Sequence, residues 1–361
     1  MKLTFILIPL AAISFGAIQV AELLIAILFA YELTKIKKIE IWIGILGILS
    51  LYFVLGGVSI SALSQVIKAM LIPLLFIRFY EERNYVNNRI KPINYNFFNV
   101  LILFFLLSIP LGIRLPFGAY IDADTGIFRH SVDMACFIIM SVYFFTKHSN
   151  LPIYVSMIFL LPALLLGGSR AALALAPFQL ILTRPWLGAS LLGIILIAIF
   201  FFFDAFIFLG DLTQSSGKMF SFIELVANGT FNQILIDGSI LVRIDNFQAI
   251  FSQMSGLEWL FGMQKEEIIN ITTATSGDVA TDNIVLYKAI FFGIPFGLIL
   301  ILISIASIWM LSRDLPLLIV LIAYGMLQDW LSNGFSIYII YTFLIINNPF
   351  YKDPQPSNEH N

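Results

Sequence analysis

Cysteine is all but missing from this chain: Cys136 stands alone, inside an apolar run. A single thiol excludes an intramolecular disulfide and any cysteine-based metal cluster. Histidine is nearly as scarce, with three in 361 residues, one of them His360 in a polar tail. There is no His-x-x-x-His or Glu-x-x-His pair, so no helix carries the spacing of a zinc site and no metal is expected. Charge is thin as well. Only 12% of residues are Asp, Glu, Lys or Arg, and the net charge is −2. Without a basic excess there is no electrostatic footprint for nucleic acid.

What fills the chain is apolar: 60% of residues are hydrophobic and the mean hydropathy is +0.94. That composition predicts an all-α, polytopic integral membrane protein. Apolar runs separated by turn residues fall at residues 3–15, 17–33, 40–56, 61–79, 96–113, 131–147, 151–167, 169–184, 186–209, 284–311, 315–331 and 334–349, giving about twelve spans. The shortest runs are marginal for a hydrocarbon layer about 30 Å thick and require tilt, re-entry or polar extension. Lys2 and the apolar stretch after it imitate a secretory signal. A second apolar run begins at Ile18 with no polar segment between, which predicts a retained helix. The expected organisation is an N-terminal membrane bundle over residues 1–209 with about nine spans, a long outer loop over 210–282, a three-span bundle over 283–349, and a tail over 350–361.

Basic residues in short loops mark the cytoplasmic side. Lys35, Lys37 and Lys38, then Arg78, Arg83, Arg89 and Lys91, then Lys147, Arg184, Arg313 and Lys352 alternate onto one side without conflict. Both termini are therefore expected in the cytoplasm. Gly56-Gly57, residues 114–130, Gly167-Gly168-Ser169-Arg170 and the long loop face outward, the periplasm for the inner membrane of a Gram-negative bacterium.

The long loop has helical pieces. Ser239 can cap a helix in which Ile240, Ile244, Phe247, Phe251 and Met254 recur at helical spacing, with Arg243 bordering the stripe. Met219, Phe220, Ile223 and Val226 follow the same period and suit a helix lying on the membrane surface.

Several residues carry possible chemistry, each beside a plainer reading. Arg170 follows Ser169, a good helix cap, so a cation and a helix N-terminus converge at an outward boundary, an arrangement that suits a phosphate. An arginine at a span end also snorkels to headgroups. Arg243 either joins such a site or pairs with Asp245 or Glu258. Asp282 is a base or a helix N-cap. Lys288, within two turns of it, either snorkels or meets an anion. Glu22, Lys68 and Asp133 lie in apolar runs and must face the bundle interior, with Lys68 a candidate partner of Glu22 or Asp133. Arg114, Arg129 and His130 ring an outward loop. His130 has the titration range of a general base, or is bonded to backbone.

Taken together, Gly168-Ser169-Arg170-Ala171-Ala172 opening an outward span, Arg243 in a long loop upstream of Trp259-Leu260-Phe261-Gly262, and Asp282-Asn283 before Gly293 resemble the O-antigen polymerase and O-antigen ligase superfamily. The resemblance covers the whole chain in topology and these three places in residues. It implies a lipid-linked glycan donor, undecaprenyl diphosphate as carrier, no cofactor, and transfer to an acceptor hydroxyl with inversion. Arg170 and Arg243 match the family's paired diphosphate-binding arginines, Lys288, Arg114 and Lys68 are further cations for that group, and Asp282 is the candidate base, with His130 behind it. The ligases carry histidine where Asp282 stands, which favours the polymerase branch over a ligase acting on lipid A core. A flippase and a chain-length regulator are the implied partners. Outside this resemblance, a transporter also fits many spans with buried charges, although no internal repeat is visible.

Overall fold

The computed structural model describes residues 2–11, 13–15, 18–36, 44, 60–85, 95–113, 127–128, 130–167, 169–201, 238–263, 265–276 and 283–346. Helices α1 (Lys2–Ile6) and α2 (Ile8–Ala11) lead into strands β1 (Ser14–Phe15) and β2 (Ile18–Gln19). Next come α3 (Val20–Lys35), α4 (Ile60–Tyr85), α5 (Tyr95–Ser108), α6 (Ser131–Lys147), α7 (Ile153–Leu166), α8 (Arg170–Thr183) and α9 (Pro185–Phe201). The C-terminal half contains α10 (Gly238–Gln253), α11 (Glu258–Phe261), α12 (Lys265–Ser276), α13 (Ile284–Phe292), α14 (Ile294–Ser312), α15 (Leu315–Leu327) and α16 (Gly334–Ile346).

Among the described residues the architecture is helical, as the composition predicts, apart from the two-residue antiparallel pair in which Ser14 faces Gln19 and Phe15 faces Ile18. Two helical stretches among the described residues, Leu63–Glu81 within α4 and Ile294–Ser312, are long and apolar enough to cross a membrane. α5, α7, α8, α15 and α16 are shorter apolar helices.

α16 lies at the centre. Every one of its residues is buried, and it packs on α3, α4 and α6. α6 is buried from Asp133 to Phe145 and packs in turn on α8. A helix enclosed on all sides must satisfy its polar groups against neighbours. Tyr338 donates to the Thr4 carbonyl at 2.7 Å, Tyr341 donates to Glu32, and the Ser336 hydroxyl meets Asp133 at 3.3 Å. Outward faces carry the large apolar side chains, with Leu302 64% exposed and Val100 66% exposed.

Three expectations change. The run at 3–15 is no single spanning helix: it breaks into two short helices, and Thr4 reaches only the first turns of α16. The run at 284–311 breaks at Gly293 into α13 and α14, because Gly293 takes φ +76 and ψ 158, a conformation no helix contains. In the loop helix, α10 begins before Ser239, and Phe247, Ile250 and Met254 are buried while Ile244 is 54% exposed, so the stripe is rotated from the expected one. The run at 40–56, apart from Gly44, the helix expected over 219–226 and the tail lie outside the described residues.

Candidate functional site

Two lysines meet inside the bundle. Lys68, on α4, is 5% exposed and Lys288, on α13, is 0% exposed. An ammonium removed from water demands counter-ions and acceptors, and both lysines find an acceptor in Ser332, on the turn between α15 and α16. Lys68 Nζ donates to the Ser332 carbonyl at 2.8 Å and pairs with Glu22 Oε1 at 2.6 Å. Lys288 Nζ donates to the Ser332 hydroxyl at 2.6 Å and to Gln65 Oε1 at 3.0 Å, with Asp329 Oδ2 at 3.9 Å. The Ser332 hydroxyl then donates to Asp329, whose Oδ1 accepts from Ser332 N at 3.1 Å. Of the two partners expected for Lys68, Glu22 is the one used. Asp133 sits with Ser336 instead.

Other residues singled out from the sequence share this end of the bundle. Ser169 caps α8, its Oγ accepting from Ala172 N at 3.3 Å, and Arg170 is half-buried as the first helical residue. His130 caps α6 through Nδ1, which accepts from Val132 N at 3.2 Å. That bond places the proton of a neutral imidazole on Nε2 and leaves no free ring lone pair, which works against a general-base role. Asn283, not Asp282, caps α13: its Oδ1 accepts from Val285 N at 3.0 Å and Leu286 N at 3.1 Å, and its Nδ2 donates to the Met326 carbonyl at 3.0 Å. Tyr324 of α15 donates to the Val132 carbonyl, tying these ends together. Asp282 and Arg114 lie outside the described residues, as does the Arg243 side chain, although its backbone is part of α10.

No family model, curated protein or solved structure matches this chain. What the site can do therefore rests on its own geometry. α8, bearing Arg170, packs on α15; α15 packs on α13; and α13 packs on α10, which bears Arg243. α13 and α15 thus lie between the two arginine-bearing helices. The segment bearing α10 and α11 is fastened to the bundle where α11 meets the break at Gly293: Met263 N donates to the Ile290 carbonyl at 2.8 Å. Beside it Phe251 and Trp259 stack at 5.4 Å and 9°.

Asp329 and Ser332 were not legible as site residues. The available signal was Asp329-Trp330-Leu331-Ser332-Asn333, a polar punctuation between two apolar runs that reads first as a turn. At the opposite end, Arg78 pairs with buried Glu32 at 2.8 Å and Lys147 pairs with Asp314 at 3.0 Å. His148 lies beside this second pair, stacked on Tyr95 with ring centroids 6.0 Å apart. Burial first, then the neighbouring Lys147, pushes the His148 imidazole down to about 4 against an upward pull from Asp314.

Proposed function

We propose that this protein is a polytopic bacterial inner-membrane glycosyltransferase that polymerises undecaprenyl-diphosphate-linked oligosaccharide repeat units at the periplasmic face. The membrane setting is supported by apolar side chains on the outside and ionic groups on the inside, the reverse of a water-soluble surface. The observation that carries the functional reading is the gathering of Arg170, His130, Asn283 and the Lys68/Lys288 cluster at one end of the bundle, the end free of the Lys147–Asp314 pair and the exposed Arg184 and Arg313.

In this reaction the acceptor hydroxyl attacks the anomeric carbon, the bond from that carbon to the diphosphate oxygen breaks, and the acceptor proton passes to a base. The leaving group is already a delocalised anion. Catalysis consists of cations stabilising the charge that develops on it and of a carboxylate taking the proton. Arg170 and Arg243 are the assigned diphosphate ligands, and Asp282, adjacent to the α13 cap, is the assigned base. A lipid-linked donor needs no metal or soluble cofactor in this scheme.

One observation favours a second reading. Buried Lys288 and Asp329 lie close to a helix broken at Gly293, a combination also used by transporters. The deciding experiment incubates purified full-length protein in liposomes with a lipid-linked repeat unit and resolves the products by mass spectrometry. A ladder of joined units is expected. Unit movement across the bilayer without joining would replace the polymerase by a transporter, and transfer only to lipid A core would make the protein a ligase.

A further inference from the structure

Lys68 and Lys288 carry more donors than the described residues accept. An ammonium has three N–H groups. Lys68 places two, on Glu22 Oε1 at 2.6 Å and on the Ser332 carbonyl at 2.8 Å. Lys288 also places two, on Gln65 Oε1 at 3.0 Å and on the Ser332 hydroxyl at 2.6 Å. Asp329, at 3.9 Å, is within ion-pair range of Lys288 but beyond a hydrogen bond. The rings of Tyr287 and Phe292 lie 5.5 Å and 5.6 Å from Lys288 Nζ and offer it π faces, not oxygen acceptors. Buried donors are normally filled. Two ammonium groups that converge on one serine, each with a donor unused among the described residues, have the form of an oxyanion cradle.

The counter-ion of Lys68 is also the one most easily exchanged. The Glu22 side chain is 31% exposed against 6% for Lys68, and it is held otherwise by the Ser64 hydroxyl at 3.0 Å. It sits directly over Gly334, where a Cβ would lie 2.7 Å from Glu22 Oε1 and 3.0 Å from its Cδ. Asp329, by contrast, is locked into its turn by the Ser332 backbone and hydroxyl.

We propose that Glu22 is an internal counter-ion, which a diphosphate oxyanion displaces from Lys68 to bind between the ammonium groups of Lys68 and Lys288, while the Ser332 hydroxyl keeps its proton on Asp329. The ligand class rests on the polymerase reading above. A diphosphate carries more charge and more acceptor oxygens than one carboxylate, and it can fill both open donors at once. Asp329 stays with Lys288, and the released Glu22 turns toward its exposed side. Glu22 thereby keeps the cradle neutral while empty and sets a threshold that weakly charged ligands do not cross.

The test is a calorimetric titration of full-length protein, in neutral detergent, with inorganic diphosphate. Wild-type protein binds it, and Lys68→Met and Lys288→Met lose binding. Glu22→Gln tightens binding about fivefold, the scale of removing one partly exposed competing charge. Gly334→Ala should tighten it similarly, because the new Cβ pushes the flexible carboxylate aside without altering any charge. These two variants do not depend on the lysine variants folding. Absence of wild-type binding, or unchanged or weaker binding in both Glu22→Gln and Gly334→Ala, overturns the proposal. So does equal competition by phosphatidylglycerol in nanodiscs, which would make the cradle a phospholipid headgroup site. Failure of the polymerase reading looks different: diphosphate binding with this mutational pattern, in a protein that joins no repeat units, leaves the cradle standing. Polymer made by Lys68→Met at the wild-type rate removes the cradle and leaves the polymerase.

Discussion

Gly262 and Gly293 lie backbone against backbone: a Cβ on Gly262 would collide with the Phe291 carbonyl, and one on Gly293 with the Leu260 carbonyl. Both take positive φ, +83 and +76, with extended ψ, a region open essentially to glycine alone. This paired approach fastens the segment bearing α10 and α11 to the break between α13 and α14, at the end of the helix that carries Lys288.

Substituting either glycine by alanine should therefore destabilise the protein by at least about 2 kcal/mol, from strained dihedrals plus the clash. Because both changes open the same contact, the double variant should cost less than the sum of the singles. Thermal unfolding in detergent reads both quantities. Wild-type stability in Gly293→Ala would show that the two segments are not in contact.

Arg170→Ala should reduce polymer in cells by at least about a hundredfold, the scale of losing one charge-stabilising group from a transition state, at unchanged protein level. Arg170→Lys should recover part of the loss, since it restores the charge but not the planar fork. Polymer length on gels together with protein quantity on blots checks this. Full-length polymer from Arg170→Ala would return the residue to a snorkelling role.

Asp282 and Asn283 can be separated because the cap of α13 belongs to Asn283. Asn283→Ala should cost about 1 kcal/mol of stability through the lost cap, and it also forfeits the bond to the Met326 carbonyl. Asp282→Asn should leave stability unchanged and lower activity. If Asp282→Asn polymerises normally, the base must be sought elsewhere.

His148 makes a pH prediction at the end of the bundle opposite the candidate site. Its folded value of about 4 lies below the roughly 6.5 of an unfolded histidine, so the unfolded chain binds the proton more readily. The stability contributed by the neutral ring is fully present above about pH 6.5 and is lost as pH falls toward the folded value. Unfolding temperature should decline across that window in the wild type and decline less in His148→Phe, which keeps the stack on Tyr95 without the titration. Parallel curves for the two proteins would exclude His148 as the source.

Much of this arrangement was legible along the chain. The helical class followed from composition, Ser169 as a cap followed from a hydroxyl before an alanine-rich apolar run, and the need of Lys68 for a carboxylate, Glu22 or Asp133, followed from the cost of leaving a charge in an apolar setting, with the choice of Glu22 made by the fold. Other features were invisible because they depend on residues far apart in sequence. A window containing Lys288 holds neither Gln65 nor Ser332, and nothing local to Asp329 distinguishes a turn aspartate from one facing a buried lysine. The break at Gly293 was hidden by the unbroken hydropathy of residues 284–311, since hydropathy registers side-chain transfer and not the backbone angle a glycine adopts.

The sequence by itself determined that helices form, that their outward faces are apolar and that a few buried charges must find partners, because these follow from local propensity and from the cost of removing polar groups from water. Only the tertiary structure decided which partners they are. Lys68 and Lys288 come from helices more than two hundred residues apart and meet at Ser332 because α16 is enclosed on every side, which leaves the turn before it as the acceptor both lysines reach.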